Sequence, residues 1–405
     1  MRQATEAPVT ARGVAAYIVI LIGYFLYCYN FNVVDYVRPY LVSNYGFSIV
    51  QTTNLSIAQN IGVTIGAFSW AALVVRFGHR AAAVAIMIGM GTVAIMLAST
   101  TGFAEWLVLR GLLAATLGGF YVVTTAVVVA IFPAHLRGRL IAVTAATYPV
   151  SNIVLGALGA SLGDNGWHWL LWIATGSLLL APFALIIPRS VTTSSAIAED
   201  AELASGGWAE MLSPRLRWRT LGCVLLSGID FIAYGLAAAF MTLYFRQVRG
   251  VDAVGVGVMV SLLSAGSLVG TFAWAWVSDR FGRRIAAVGY VMAAAALLLL
   301  LFSSASATFL IAAFGFGLSC NASWGAWFAE LFPDHLRPYG AALFHGGHIV
   351  AMLGPLFVNL FTPRYGLVPT MIVAAPVYLI GALVWLLLPE TLRREGSAGA
   401  GGQDA

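Results

Sequence analysis

Six ionisable side chains lie inside long apolar runs: Asp35, Arg38, Arg110, Asp230, His345 and His348. An Asp or Arg at the centre of a membrane helix costs about 2.5–3.5 kcal/mol on insertion scales, so such a group faces a partner or a wetted cavity. The forked guanidinium of Arg110 suits a carboxylate or phosphate. A permanent pair with Asp35 or with another helix is the alternative. Histidine titrates near neutral pH, so His348 could carry a proton or share in binding an anion. A hydrogen bond to a backbone carbonyl accounts for it equally well.

Helical spacing groups these residues with others. In the first apolar run Tyr24, Tyr27, Cys28, Phe31, Asp35 and Arg38 fall within an arc about 100° wide. Asp35 and Arg38 are i,i+3 and can pair. The face reads as a cavity wall, or as an outer salt bridge with its tyrosines in the aromatic belt. Arg110 shares a face with Tyr121, Asp230 shares one with Tyr234, Ala237, Met241 and Tyr244, and His345 and His348 share one with Met352. Asn30, Tyr148, Asn152, Asn321 and Trp324 add polar or amphipathic tips suited to a ring or sugar face. Candidate substrate contacts are therefore Arg110, Tyr24, Tyr27, Asn30, Arg38, Tyr121, Tyr148, Asn152, Tyr234, Asn321, Trp324, His345 and His348. Asp35, Asp230 and His348 are the candidate proton carriers.

The elements that position them must be membrane helices. The chain is 60% hydrophobic and 9% charged, with a mean hydropathy of +0.89. Apolar runs of this length indicate a polytopic protein in a lipid bilayer. Twelve spans are expected, near 14–42, 51–75, 81–99, 103–132, 139–163, 167–188, 219–246, 254–278, 285–303, 306–331, 339–361 and 366–388. They lack strict alternation and are too long for barrel strands, so they are helices. The fold class is all-α, twelve transmembrane helices in two six-helix bundles.

Every basic residue is arginine. With the N-terminus in the cytoplasm, sixteen arginines fall inside and only Arg38, Arg246, Arg249 and Arg364 outside, with Arg110 within a span. That bias places both termini in the cytoplasm. The missing lysine and abundant Ala and Gly suggest a bacterial genome, hence the bacterial cytoplasmic (inner) membrane. The net charge of +5 is a topology signal and does not indicate nucleic acid. Cys28, Cys223 and Cys320 are scattered in apolar sequence and read as packing residues.

The halves repeat. Gly66-Ala67-Phe68-Ser69-Trp70 leads to Arg76-Phe77-Gly78-His79-Arg80, and Gly270-Thr271-Phe272-Ala273-Trp274 leads to Asp279-Arg280-Phe281-Gly282-Arg283-Arg284. Phe132-Pro133-Ala134-His135-Leu136-Arg137 has its counterpart in Phe332-Pro333-Asp334-His335-Leu336-Arg337. Such a repeat divides the chain into a bundle over 1–188, a linker over 189–218, a bundle over 219–394 and a disordered tail over 395–405. Gly62-x-x-x-Gly66 and Gly266-x-x-x-Gly270 predict close helix packing.

Twelve spans, a duplicated half and these arginine turns resemble the major facilitator superfamily. The second turn matches its loop signature at Ala275, Asp279, Arg280, Gly282, Arg283 and Arg284. Glu330-x-x-Pro333-x-x-x-Arg337 and Pro389-Glu390-Thr391 are similar to its sugar-porter and metabolite–proton symporter branches. Arg110 with Gly118-Gly119, Pro133 and Arg137 resembles the aromatic-acid–proton symporters, where His348 stands in a place often held by arginine. Departures are Tyr27-Cys28-Tyr29-Asn30 in place of an Asp-Gly-x-Asp motif, Val75 in place of the loop aspartate, and Ala130 in place of the acid matching Glu330. Both loop acids are lost in one half and kept in the other, so Asp279 and Glu330 are expected to form a charge cluster with nearby arginines. The gating set is Asp279, Arg280, Arg284, Glu330, Arg337, Arg76, Arg80 and Arg137; the charge cluster would hold the cytoplasmic side shut in the outward-facing state, and the first half would close by packing alone. Solvated charges that merely set topology are the alternative.

The function expected is secondary active transport: proton-coupled uptake of a small organic anion, such as an aromatic or sugar acid, by alternating access. The partners are a small-molecule substrate, protons and lipid, and a monomer is the family default. Proton-antiport export of drugs or metabolites is the main rival, and a non-transporting sensor a weaker one. No phosphate-binding loop, metal-ligand spacing or nucleophile elbow occurs, so no cofactor, metal or catalytic residue is expected and an enzyme is the weakest reading.

Overall fold

The computed structural model describes residues 10–188, 207, 209–303 and 307–392. Most of the expected linker (189–206 and 208) and the whole expected tail lie outside the described residues. Among the described residues the regular structure is helical, and nine stretches are long and apolar enough to cross a membrane. The nine reconcile with the expected twelve. Arg139–Ile186 is one stretch holding two spans, which reverse direction at Gly163 with φ +62°. The second span lies in the first part of the helix Ile49–Ala98, whose early turns are rich in Gln, Thr, Asn and Ser. The fourth is divided at Gly118-Gly119 into Phe103–Leu117 and Phe120–Ile131.

The sequence repeat becomes a repeat of packing. A Cβ on Gly66 would stand 2.2 Å from the Ala115 carbonyl oxygen, and one on Gly270 would stand 2.6 Å from that of Phe316. Only glycine admits so close a backbone. Four residues on, Trp70 Nε1 donates to Ala115 O at 3.0 Å and Trp274 Nε1 to Phe316 O at 2.9 Å. Both arginine turns reverse on a glycine, Gly78 at φ +82° and Gly282 at φ +116°, which side chains beyond Cα disfavour.

The first half packs around Tyr29, Trp106 and Trp167 and, nearer the arginine turns, around Ile86 and Phe120. The second half packs around Tyr290, Trp324 and Trp385, and Met211, just before its first span, is buried in that core. Leu179, Phe302, Phe309, Leu360 and Leu387 are exposed on the outside of the helices, as lipid contact requires.

One expectation needs correction. The helix Arg217–Leu236 ends at Ala237 (φ −122°), and the chain continues as short 3-10, α and π turns to Val248. The 100° arithmetic stops there. Tyr244 does not continue the Asp230 face; its hydroxyl donates to Leu300 O at 3.1 Å in the ninth span.

Candidate functional site

Arg110 is fully buried in the first half. Its guanidinium donates to the carbonyls of Asn30 (3.1 Å) and Phe31 (2.7 Å) on the first span and to Gln59 Oε1 on the second. All three acceptors are neutral. Nε is buried and has no partner among the described residues. Neutral oxygens orient the cation but leave its charge without a counter-charge in hydrogen-bond contact, a costly arrangement away from water.

Asp230 is the converse in the second half, 5% exposed. Its Oδ1 accepts from Tyr290 Oη at 2.8 Å and its Oδ2 from Asn321 Nδ2 at 3.1 Å. Both donors are neutral and come from different spans, the ninth and tenth. The carboxylate is thus solvated by the protein without an arginine.

Asp35 and Arg38 form the expected pair at 2.5 Å. Arg38 also donates to Ser56 Oγ (3.0 Å) and Thr52 O (3.3 Å), and its guanidinium lies 4.4 Å from the ring centroid of Phe240 in the other half. Pro39 has no N–H, which leaves the Asp35 carbonyl without its helical donor. Thr242 of the opposite half fills that place at 2.8 Å. Three further contacts join the halves toward the same arginine-poor face: Asp164–Arg246 at 2.5 Å, Asn359 Nδ2 to Asn54 Oδ1 at 2.6 Å, and Ser261 Oγ to Ile153 O at 3.2 Å. Gly156 and Gly257 bring the fifth and eighth spans together there, a Cβ on Gly257 standing 2.4 Å from Gly156 O. The seam is closed on that face.

Behind the seam lies a cavity of about 60 Å³ between the halves, bordered by Asn32, Asp35, Asn152, Tyr234, Met241 and Ser264 among others. It has room for a few water molecules. Tyr148 donates to Asn32 Oδ1 at 2.9 Å, and its hydroxyl stands beside Tyr234 of the other half.

The other candidates divide. Tyr24 stacks on Tyr27 (5.1 Å) and lies 6.1 Å from Tyr121, making an aromatic wall in the first half. Asn30 is buried and its amide donates to Leu26 O and Ala174 O, binding the first span to the sixth; the neighbouring Asn32, absent from the sequence candidates, meets Tyr148 instead. Trp324 stacks on Phe328 at 5.3 Å and stands edge-on to Tyr290. His348 stacks on Phe231 at 4.2 Å. The side chain of His345 lies outside the described residues.

At the second arginine turn the hub is Arg283, which the sequence-based gating set omits. It bonds Asp279 (2.5 Å) and Glu330 (2.6 Å) and lies largely buried between them. Glu390 accepts from the backbone N–H groups of Arg283 and Arg284, both at 2.9 Å, and Arg284 Nε donates to Leu388 O. Partial burial pushes the Glu390 carboxyl up, but the backbone donors of Arg284, Leu392, Arg283 and Thr391 outweigh this and hold it below the usual range. All these contacts lie within the second half. Arg280 and Arg76 lie over Phe281 and Phe77, and Arg137 Nε donates to Phe132 O. Arg80 is partly buried beyond the first turn, and Arg337 is exposed at the start of its helix.

Two duplicated helical bundles, with buried charges inside them and a seam closed on one face, define a secondary-transporter architecture. The Major Facilitator Superfamily profile matches residues 20–257 and 225–403, and the chain belongs to that family of transporters. It is 24% identical over 94% of its length to an uncharacterised MFS-type transporter of Enterobacter sp. (strain 638), covering 96% of that protein. It is 25% identical to a chloramphenicol resistance protein of Streptomyces lividans, over 62% of this chain and 63% of that one. To the sialic acid transporter NanX of Escherichia coli (strain K12) it is 22% identical, over 85% and 86%. In fold it matches a bacterial homologue of the human lysosomal transporter Spinster in an inward-facing, unoccupied conformation, with a TM-score of 0.79, 14% identity and coverage of 94% and 98%.

Proposed function

We propose that this protein is a proton-coupled importer of a small organic anion in a bacterial cytoplasmic membrane, with both termini inside. The observation that carries this reading is the state of Arg110: a buried cation held by neutral oxygens, with its Nε–H unpartnered among the described residues. A substrate carboxylate would replace the Gln59 oxygen and place a negative charge in direct contact with the guanidinium. Asp230, equally without a counter-charge, takes the proton. A sugar acid or aromatic acid fits the tyrosines and asparagines near the two charges, and the sialic acid transporter among the relatives supports the sugar-acid choice. The seam closed at Asp35, Thr242, Asp164 and Arg246 then corresponds to an outside gate, and the Arg283 cluster to the cytoplasmic latch of the second half.

The test is substrate-elicited proton movement in proteoliposomes loaded with a pH dye, against pools of organic acids, neutral sugars and cationic drugs. Proton influx together with an acid pool is expected. Proton flux opposite to a drug would replace this reading with export, for which the chloramphenicol resistance relative speaks. Silence from all pools with folded protein would remove the symport reading.

A further inference from the structure

The chain enters its seventh span through Ser213-Pro214-Arg215-Leu216-Arg217-Trp218-Arg219. The turn is pinned to the second half. Met211 and Leu216 are buried in its core, Thr220 Oγ1 donates to Met211 O at 2.8 Å, and Arg217 N donates to Ser213 O at 2.9 Å. Arg215, Arg217 and Trp218 are exposed between these anchors. Arg219 is occupied, its Nη1 donating to Leu331 O at 2.7 Å. Arg215 and Arg217 make no hydrogen bond or ion pair among the described residues, and the Arg217 guanidinium lies 5.3 Å from the ring centroid of Trp218. The carboxylates described on that face are already engaged. Glu210 meets His335 at 3.1 Å, Asp279 and Glu330 meet Arg283, and Glu390 accepts backbone N–H groups.

From Arg217 the helix continues with an apolar stripe. Arg217, Trp218, Leu221 and Leu225 fall within an arc about 100° wide, and the three apolar side chains are exposed. Leu221 and Leu225 lie about 6 and 12 Å along the axis from Arg217, within the roughly 15 Å of hydrocarbon in one leaflet. A charge that only sets topology needs no fixed place beside an indole and an apolar stripe. Two unpaired guanidiniums at the end of a leucine stripe, with an amphipathic ring between, match a molecule with an anionic head and acyl chains.

We propose that Arg215, Arg217 and Trp218 form a binding site for the phosphodiester headgroup of an anionic phospholipid, whose acyl chain lies along Leu221 and Leu225. The guanidiniums hold the phosphate oxygens, and the indole sits at headgroup level with its ring toward the chain. On the topology proposed above, the lipid belongs to the cytoplasmic leaflet. The site shares no residue with the Arg110 and Asp230 surroundings, so the proposal does not depend on which solute is carried.

The test uses full-length protein in vesicles of equal parts phosphatidylcholine and phosphatidylglycerol, with bromine on the acyl chains of one lipid or the other. Bromine quenches nearby indoles, and the part due to Trp218 is the difference between wild type and Trp218→Phe. Trp218 is expected to be quenched about threefold or more strongly by brominated phosphatidylglycerol than by brominated phosphatidylcholine. Arg215→Gln/Arg217→Gln, with folding checked by thermal unfolding, should bring that ratio to about one. Arg139→Gln, which removes another exposed arginine outside the second half, should leave it unchanged. Equal quenching by the two lipids in wild type overturns the site, and this result needs no folded arginine variant. A ratio that survives Arg215→Gln/Arg217→Gln, or falls equally in Arg139→Gln, assigns the preference to general surface potential and also overturns it. A ratio abolished by inorganic phosphate, but not by chloride at the same ionic strength, would make the ligand free phosphate and overturn the lipid.

Discussion

The two halves share a skeleton and differ in charge. Trp70 and Trp274 make the same hydrogen bond to the same kind of carbonyl, over the same close glycine contact. Yet, among the described residues, the buried charge without a salt-bridge partner is the cation Arg110 in the first half and the anion Asp230 in the second. Each is held by neutral partners from two neighbouring spans. Duplication preserved the packing that makes a bundle and left the polar interior free to diverge. On the proposed reading this division suits a symporter: one half would provide the anion site and the other the proton site, and the movement of one against the other would link them.

The sharpest way to break this comparison is Arg110→Ala. Loss of a charge-assisted carboxylate contact of about 3 kcal/mol corresponds to roughly 100-fold weaker substrate binding, so uptake and exchange should both vanish from the assay window. Arg110→Lys keeps the charge but loses the fork, and a partial loss of affinity is expected in the same assay. Asp230→Asn comes next. It keeps a side chain of similar shape beside Tyr290 and Asn321 but cannot take the proton, so accumulation driven by a pH gradient should be lost while exchange persists.

Smaller effects sharpen the picture at the two faces. Thr242→Val removes the donor to the Asp35 carbonyl, worth about 1 kcal/mol, and should shift the population toward an open outer seam roughly fivefold. Labelling of a cysteine placed at Asn152, on the cavity wall, reads that shift from outside. At the other face Glu390→Gln should lower the midpoint of thermal unfolding by a few degrees or less. The sign of its pH dependence follows from the depressed folded-state value. The Glu390 contribution is fully present above the ordinary glutamate value of about 4.3 and is lost as pH falls through the lower folded one. Wild-type and Glu390→Gln midpoints should therefore converge on acidification; a constant gap would show that charge is not the cause.

The repeat, the helical class and the arginine turns were legible because they depend on local spacing. Glycine beside glycine at four residues and a tryptophan one turn on announce close packing wherever they occur. The i,i+3 pair Asp35–Arg38 was legible for the same reason. What spacing could not supply is the partner from another span. Nothing near Asp230 in sequence points to Tyr290, or near Arg110 to Gln59. Pro39 does signal a free carbonyl at Asp35, but only the fold shows that Thr242 meets it. Asn30 and Asn32 differ by about 200° around the helix, so choosing between them needed the position of the sixth span. Arg283 sits in the loop motif, yet which of the turn's three arginines turns inward depends on how the chain leaves Gly282.

The most direct test of the division of labour is a paired flux measurement on one preparation. Substrate exchange and proton-driven net uptake would be measured for wild type, Arg110→Ala and Asp230→Asn, with folding checked for each. The account predicts that Arg110→Ala loses both activities and Asp230→Asn loses net uptake alone. Exchange at normal affinity in Arg110→Ala, or proton-driven accumulation intact in Asp230→Asn, would contradict it.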